Sequence, residues 1–309
     1  MSADGPVPLP QRMHVFVRDW LSSNNVVLKS DAGHVVIDSG YHTHAPLTLG
    51  LLEGRFGLAG GPLALLVNSH CHSDHIGGNA AVRERYGCPI AVPVGEAELL
   101  DPWDAAGLLL TYADQHAPQF RFDRTIAPGD VNRWGDLDWE ALAAPGHDMG
   151  ALMFYNRAHR VLITGDALWA NGFGFVLPRE IDATCLPATR ATLDLIASLD
   201  VGVVVPGHGE PFVDVAGALA RAYSRLAALE ADPVRNARHI MKAMLSFKLL
   251  ETRRMRLADL PRYVEDVPVF REMNARFLRL SGADVAELLV RELERAGAVR
   301  CDAGWVVAA

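Results

Sequence analysis

Asn68-Ser-His-Cys-His-Ser-Asp-His-Ile-Gly-Gly78 places His70, His72, Asp74 and His75 within six residues. Imidazole and carboxylate are the donors that a borderline divalent cation such as Zn²⁺ prefers. One segment cannot close two coordination shells, so further donors must come from elsewhere in the chain. Three short segments offer them: Pro145-Gly-His147, Thr164-Gly-Asp166 and Pro206-Gly-His208-Gly. Five histidines and two aspartates in four clusters point to metal chemistry rather than to scattered, internally satisfied core histidines. Cys71 lies between two of these histidines, but local alternation turns it the other way, so it reads as packing.

Each cluster follows a strand-like run. Leu63–Val67 is continuously apolar, as a fully buried strand should be. Leu137–Ala143, Ala151–Tyr155, Arg160–Thr164 and Val201–Val205 read as further strands, and the last, nearly pure valine, is expected to be central. Val15–Val17, Asn25–Leu28 and His34–Ile37, separated by turn residues, predict a meander. Helices are expected from Gly78 to Tyr86 and over Ala188–Ser198. Four strand ends can converge on one sheet edge, where loops build sites. Asp101–Pro128 breaks the pattern, with Trp103, Tyr112, His116, Phe120 and Phe122 among Pro, Gly and Asp; it reads as a lid or a surface insertion. After Pro211 the chain becomes helical, over Val213–Ala231, Val234–Leu250, Tyr263–Leu278 and Asp284–Ala296. A hairpin around Asp302-Ala-Gly304 follows, in the pattern of a winged helix. This divides the chain into residues 1–212, which carry the site, and a helical, winged-helix-like region over 213–309. All proposed ligands precede residue 209, so the second region is expected to cover the site or to assemble a homodimer.

The HxHxDH segment followed by PGH, GD and PGHG resembles the metallo-β-lactamase superfamily, especially its glyoxalase II-like hydrolases. The resemblance covers roughly residues 13–215. It implies an α/β fold, a four-layer αββα sandwich, with two divalent metal ions per chain, Zn²⁺ foremost and Fe or Mn as alternatives. It also implies that His70, His72 and His147 hold one ion, that Asp74, His75 and His208 hold the other, and that Asp166 bridges them. Ile37-Asp38-Ser-Gly40 is similar to the family's early strand-end motif, whose Asp supports the site from behind the ligands. Two cations ~3.5–4 Å apart would share a water and lower its pKa to ~7. The resulting hydroxide would attack the carbonyl of a small ester, thioester or lactone, with Asp74 handling the released proton.

The resemblance is less specific for substrate. Glyoxalase II-like thioesterases and iron-dependent persulfide dioxygenases carry GDxLxxGxGR. Here Gly165-Asp-Ala-Leu-Trp-Ala-Asn-Gly-Phe-Gly-Phe175 keeps the glycines but has Phe175 in place of Arg, which weighs against glutathione thioesters and persulfides. His70-Cys-His72 resembles the dioxygenase version, so a mononuclear iron dioxygenase stays open. Tyr112, His116, Trp169 and Phe173 are expected to read the substrate, because the ligand loops spend their polar groups on metal.

The net charge of −8 hides an asymmetry: residues 221–309 carry 16 Lys+Arg against 12 Asp+Glu. A mildly basic tail on an acidic body keeps a metal-dependent endoribonuclease or phosphodiesterase, with RNA as partner, as a second class of function. No apolar run reaches membrane-spanning length, so no membrane partner is expected. Met1–Pro10 has no basic stretch leading into an apolar core, and Cys71, Cys88, Cys185 and Cys301 form no CxxC pair, so a cytoplasmic location is expected.

Overall fold

In the computed structural model, which describes residues 7–309, period-two alternation of apolar side chains builds two facing sheets. The first is formed in order by β1 (Met13–Phe16), β2 (Asn25–Leu28), β3 (His34–Ile37), β4 (Leu63–Val67), β5 (Ile90–Pro93) and β6 (Arg124–Ile126). β1–β3 are the expected antiparallel meander, and β3–β6 run parallel. The second sheet has the order β11-β10-β9-β8-β7, from β7 (Val131–Trp134), β8 (Leu137–Ala143), β9 (Leu152–Asn156), β10 (Val161–Gly165) and β11 (Val203–Pro206). Val26, Leu28, Val35, Ile37, Leu65 and Val67 point inward against Trp139, Phe154, Val161 and Ile163. Their neighbours Val27, Val36 and Leu66 point outward, beneath Leu52 and Val82 of helices Ala45–Glu53 and Asn79–Tyr86. On the other side Leu162 and Val204 point outward under helices Cys185–Ser198 and Val215–Ala231. This is the four-layer αββα sandwich, with its main core between the sheets.

Contrary to the expectation from its valines, β11 is not central but lies at the edge of its sheet. Val203 and Val205 fill the inner core and Val204 the outer one, so the strand is covered on both faces. Its open edge is paired by Phe212, which exchanges two backbone hydrogen bonds with Val204. The valine run therefore reports coverage of two faces, not a position inside the sheet. Asp101–Pro128 contains a short helix, Leu110–Ala113, and supplies β6.

Helix Val215–Ala231 packs Ala218, Ala222 and Leu226 into the outer layer of the sandwich. The chain beyond it forms a separate core around Ile240, Leu245, Phe270, Leu289 and Val306. Its order is helix Pro233–Thr252, β12 (Arg254–Arg256), helices Leu260–Asp266 and Pro268–Met273, helix Gly282–Arg295, then β13 (Val299–Asp302) and β14 (Trp305–Ala308). Asp232 and Ser281 cap the first and last of these helices by accepting from Arg235 N and Asp284 N. The helix expected over Tyr263–Leu278 breaks at Val267–Pro268, because Pro268 has no N–H to continue it. β12 pairs with β14, giving three strands in the order β12-β14-β13, the strand arrangement of a winged helix. Among the described residues no helix is long and apolar enough to cross a membrane. The first six residues of the Met1–Pro10 segment lie outside the described residues.

Candidate metal centre

Five strand or turn ends at one end of the sandwich deliver the clustered side chains. Asp38 follows β3, and the segment from His70 to His75 follows β4. His147 lies in the β8–β9 turn, Asp166 follows β10, and His208 follows β11. Asn24 ties the two sheets together at this end, its amide group donating to the carbonyls of Pro206 (2.9 Å) and Gly209 (2.7 Å). The seven expected donors come together. His70, His72 and His147 form one triad, Asp74, His75 and His208 another, and His70, His75 and Asp166 a third between them; within each, the donor atoms lie within 4.8 Å of one another.

Hydrogen bonds behind the rings decide which nitrogen faces the cluster. His75 Nδ1–H donates to Asp38 Oδ2 (2.8 Å), which turns Nε2 inward. Asp38 also accepts from Ser69 N (2.8 Å) and Ser69 Oγ (2.7 Å), and Ser69 Oγ lies 3.1 Å from His70 Nδ1, where it accepts from the ring. His147 Nδ1–H donates to the Phe175 carbonyl (2.6 Å), and His147 Nε2 then stands 2.9 Å from His72 Nδ1. His72 Nε2 lies 3.6 Å from Asp148 Oδ2. Oδ2 of Asp166 lies 3.5 Å from His147 Nε2 and 3.8 Å from His208 Nε2, while Oδ1 lies 3.5 Å from His75 Nε2. Trp169 Nε1–H donates to the same Oδ1 (3.2 Å). Asp38 takes a left-handed backbone conformation (φ 60°), which short polar side chains tolerate best.

The donor set fits a cation better than it satisfies itself. Nε2 of His70 and Nε2 of His75, the nitrogens turned toward the cluster, are buried without a hydrogen-bond partner. Buried polar atoms left in that state are uncommon and call for an unseen partner. Burial and the neighbouring imidazoles hold His70 well below the usual histidine range, and His72 down to about 4, so both rings are neutral donors. Burial opposes the charge on His75, but Asp38, Asp166 and Asp74 outweigh it and raise its pKa. Burial likewise opposes the charge on Asp166, and His208 and His75 outweigh it and keep the carboxylate ionised.

The cluster opens into a cavity of about 440 Å³. Of the four side chains expected to read substrate, Trp169 lies in its wall. The other three do not, and each has a reason. Phe173 turns away into the outer core beside Leu168 and Val176. Tyr112 packs against the C-terminal core and donates to Glu272 (2.9 Å). His116 sits on the surface with its ring edge-on to His42. Phe175 takes their place: its ring stacks over His72 and meets His147 edge-on. Gly174 beside it is required by close approach, because a Cβ there would lie 2.5 Å from the His147 ring. The segment around 101–128 contributes Leu109, Ala113 and Gln115.

The largest share of the wall comes from outside the expected segments. Helix Pro233–Thr252 supplies His239, Met244, Phe247 and Leu250. Trp20, exposed on the turn after β1, stacks its ring over His208. The signal that could have found Trp20 is a large aromatic in an otherwise polar turn; the helix carries no signal beyond its amphipathic pattern. Cys71 is buried in the outer core of the first sheet, away from the cluster.

Residues 18–208 match the family model of the metallo-beta-lactamase superfamily. The chain is similar to a hydroxyacylglutathione hydrolase of Rhizobium etli, 30% identical over 114 residues, which are 37% of each protein. It is also similar to one of Brucella anthropi, 27% identical over 157 residues, 51% of this chain and 52% of that one. The chain thus spans about a third to a half of the length of the curated relatives it matches. A crystal structure of a metallo-beta-lactamase family protein from Thermus thermophilus is alike over 98% of this chain and 100% of that one, with a TM-score of 0.54 at 19% identity. That likeness extends the shared fold through the C-terminal region. With the family model matched over more than half of the chain and over all its ligand loops, the chain belongs to the metallo-beta-lactamase superfamily.

Proposed function

We propose that the chain is a metal-dependent hydrolase acting on a small ester, thioester or lactone. The observation that carries this reading is the convergence of seven donors in one cluster, five of which line the cavity, with buried imidazole nitrogens left unpaired. His70, His72 and His147 would hold one cation and Asp74, His75 and His208 a second. Asp166, whose two oxygens face histidines of both triads, would lie between them. Two divalent cations held there supply Lewis acidity and a water acidified to about pKa 7. Asp74 lines the cavity and engages His208 through Oδ2 (3.0 Å), which leaves Oδ1 to accept the proton that the attacking water gives up. Phe175, Met244 and Phe247 hold an apolar acyl group against the cluster and exclude bulk water. Relatives named hydroxyacylglutathione hydrolase point to the same class of acyl chemistry. The four cysteines are unpaired, which agrees with a cytoplasmic enzyme.

The test is a panel of acyl thioesters and esters, lactones and phosphodiesters, run with the zinc-loaded protein and after chelation. Turnover of a carbonyl substrate that is lost on chelation and returns with Zn²⁺ is the expected result. Cleavage of RNA alone, or oxygen consumption with an iron-loaded protein and no hydrolysis, would overturn it.

A further inference from the structure

Arg225 and His239 line both the apolar cavity and a second one, of about 420 Å³. The two cavities share these residues as a common wall. The second is lined by Arg225, Arg235, Arg238 and Lys242, with Asp232 as the carboxylate among them. Arg238 and Lys242 both pair with Glu292, and Asp232 is engaged in capping its helix. Arg225 and Arg235 have no carboxylate within ion-pairing distance among the described residues. The cavity wall therefore carries a surplus of positive charge.

Arg225 is the informative member. Its guanidinium is largely withdrawn from solvent, lies 4.8 Å over the Phe173 ring and donates to His239 Nε2 (2.6 Å). Burial lowers its pKa to about 10, and burial together with Arg225 pushes His239 down to about 4, so His239 serves as a neutral acceptor. Gly172 lets the arginine pass, because a Cβ there would stand 2.5 Å from Nη1. A buried guanidinium held without a counter-ion is costly, and an anionic ligand would relieve that cost. Arginine forks suit the paired oxygens of phosphates.

We propose that this second cavity is an anion subsite of the same active centre, which takes the phosphate-bearing handle of an acyl thioester. The inference rests on the hydrolase reading above. The acyl end lies among Phe175, Met244 and Phe247 at the histidine cluster, and the handle leaves past Arg225 into the basic cavity. Hydrolysis breaks the acyl C–S bond, forms a C–O bond from water, and passes a proton from that water to the departing thiolate. A polynucleotide fits less well, because the surface between the basic cavity and the cluster is apolar rather than cationic.

Two measurements on the zinc-loaded full chain test this. The first is calorimetric titration with adenosine 3′,5′-bisphosphate, a phosphorylated handle with neither thiol nor acyl group. Binding is expected, weakened by about tenfold or more in Arg225→Gln and in Arg235→Ala, and partly retained in Arg225→Lys. Arg55→Ala, an exposed arginine just after helix Ala45–Glu53 on the opposite outer layer, is the charge-matched control and should bind as the parent does. Arg235 is exposed and unpaired, so its removal tests the subsite without threatening the fold. The second compares kcat/KM for butyryl-coenzyme A and for butyryl-N-acetylcysteamine, which share the acyl group and differ in the handle. The preference for the phosphorylated thioester should shrink in both variants. No binding of the bisphosphate, or binding that both variants leave intact, would overturn the subsite. A short single-stranded RNA that binds more tightly than the bisphosphate, and is weakened by the same variants, would overturn it in favour of a polynucleotide. Bisphosphate binding as expected, with neither thioester nor any ester or lactone of the panel hydrolysed, would uphold the subsite and overturn the hydrolase reading instead.

Discussion

Asp38 and His75 are joined across 2.8 Å, from the ring Nδ1–H to Oδ2, and the same carboxylate anchors Ser69, which in turn meets His70. One aspartate thus orients two imidazoles of the cluster. Asp38→Ala should weaken metal binding by about 10–100-fold, the usual cost of losing such a support. Asp166→Ala removes a carboxylate that faces His75, His147 and His208 and should be more severe. Competitive metal titration of both variants checks the order. Equal and mild losses would argue against a bridging role for Asp166.

Metal stoichiometry follows from the triads. Elemental analysis of the reconstituted chain should find two divalent ions, and removal by a chelator should abolish hydrolysis. His75 takes a proton in the metal-free protein, held by three carboxylates, and must give it up to bind a cation. Metal uptake near neutral pH should therefore release protons, seen as a binding enthalpy that depends on the buffer's ionisation enthalpy. A fully active chain with a single ion, or uptake without proton release, would contradict this arrangement.

Glu96 is buried against Asp148, the carboxylate that faces His72. Burial first, and then the charge of Asp148, push the Glu96 carboxyl up to about 10, so it is protonated at neutral pH and donates to Asp148. A carboxyl whose folded pKa is raised contributes stability below its ordinary pKa of 4.5, and this stability is lost as pH rises toward the folded value. Glu96→Gln keeps a neutral donor and removes that titration. The variant should gain in melting temperature relative to the parent as pH rises from about 5 to 9. Parallel pH profiles would show that Glu96 is already ionised in the fold.

The convergence of the histidines and aspartates could be read in advance because these residues are close in sequence or sit beside Gly and Pro at strand ends, where local pattern suffices. The strands around it could be read for the same reason: short β-branched runs such as Val26–Leu28 and Val35–Ile37, bounded by turn residues, are a local property. The cavity wall could not. Phe173 and Phe175 have equal hydrophobicity and lie two residues apart, and only the turn at Gly172–Gly174 decides which one faces the histidines. Helix Pro233–Thr252 reaches the site because the C-terminal core docks it there, a long-range outcome that its own pattern does not encode. β11 misled for a related reason, since Phe212 closes an edge that its valines cannot report.

The contrast between Phe173 and Phe175 makes the sharpest mutational pair. Phe173 is almost fully buried, packs in the outer core and carries Arg225 over its ring. Removing it opens a cavity, and Phe173→Ala should cost about 3–5 kcal/mol of stability in urea unfolding. Phe175 instead lines the active cavity, stacking over His72 with ring centroids 6.0 Å apart. Its link to His147 runs through its main-chain carbonyl, so truncating the side chain leaves that hydrogen bond in place. Phe175→Ala should therefore lose substrate contact area, worth about 1–3 kcal/mol or up to about a hundredfold in kcat/KM, with metal content unchanged. Unfolding curves, metal analysis and kinetics on both variants separate the roles. Lost metal in Phe175→Ala would make its ring a support for the histidines rather than a reader of substrate. Unchanged stability in Phe173→Ala would mean that the outer core closes over the gap.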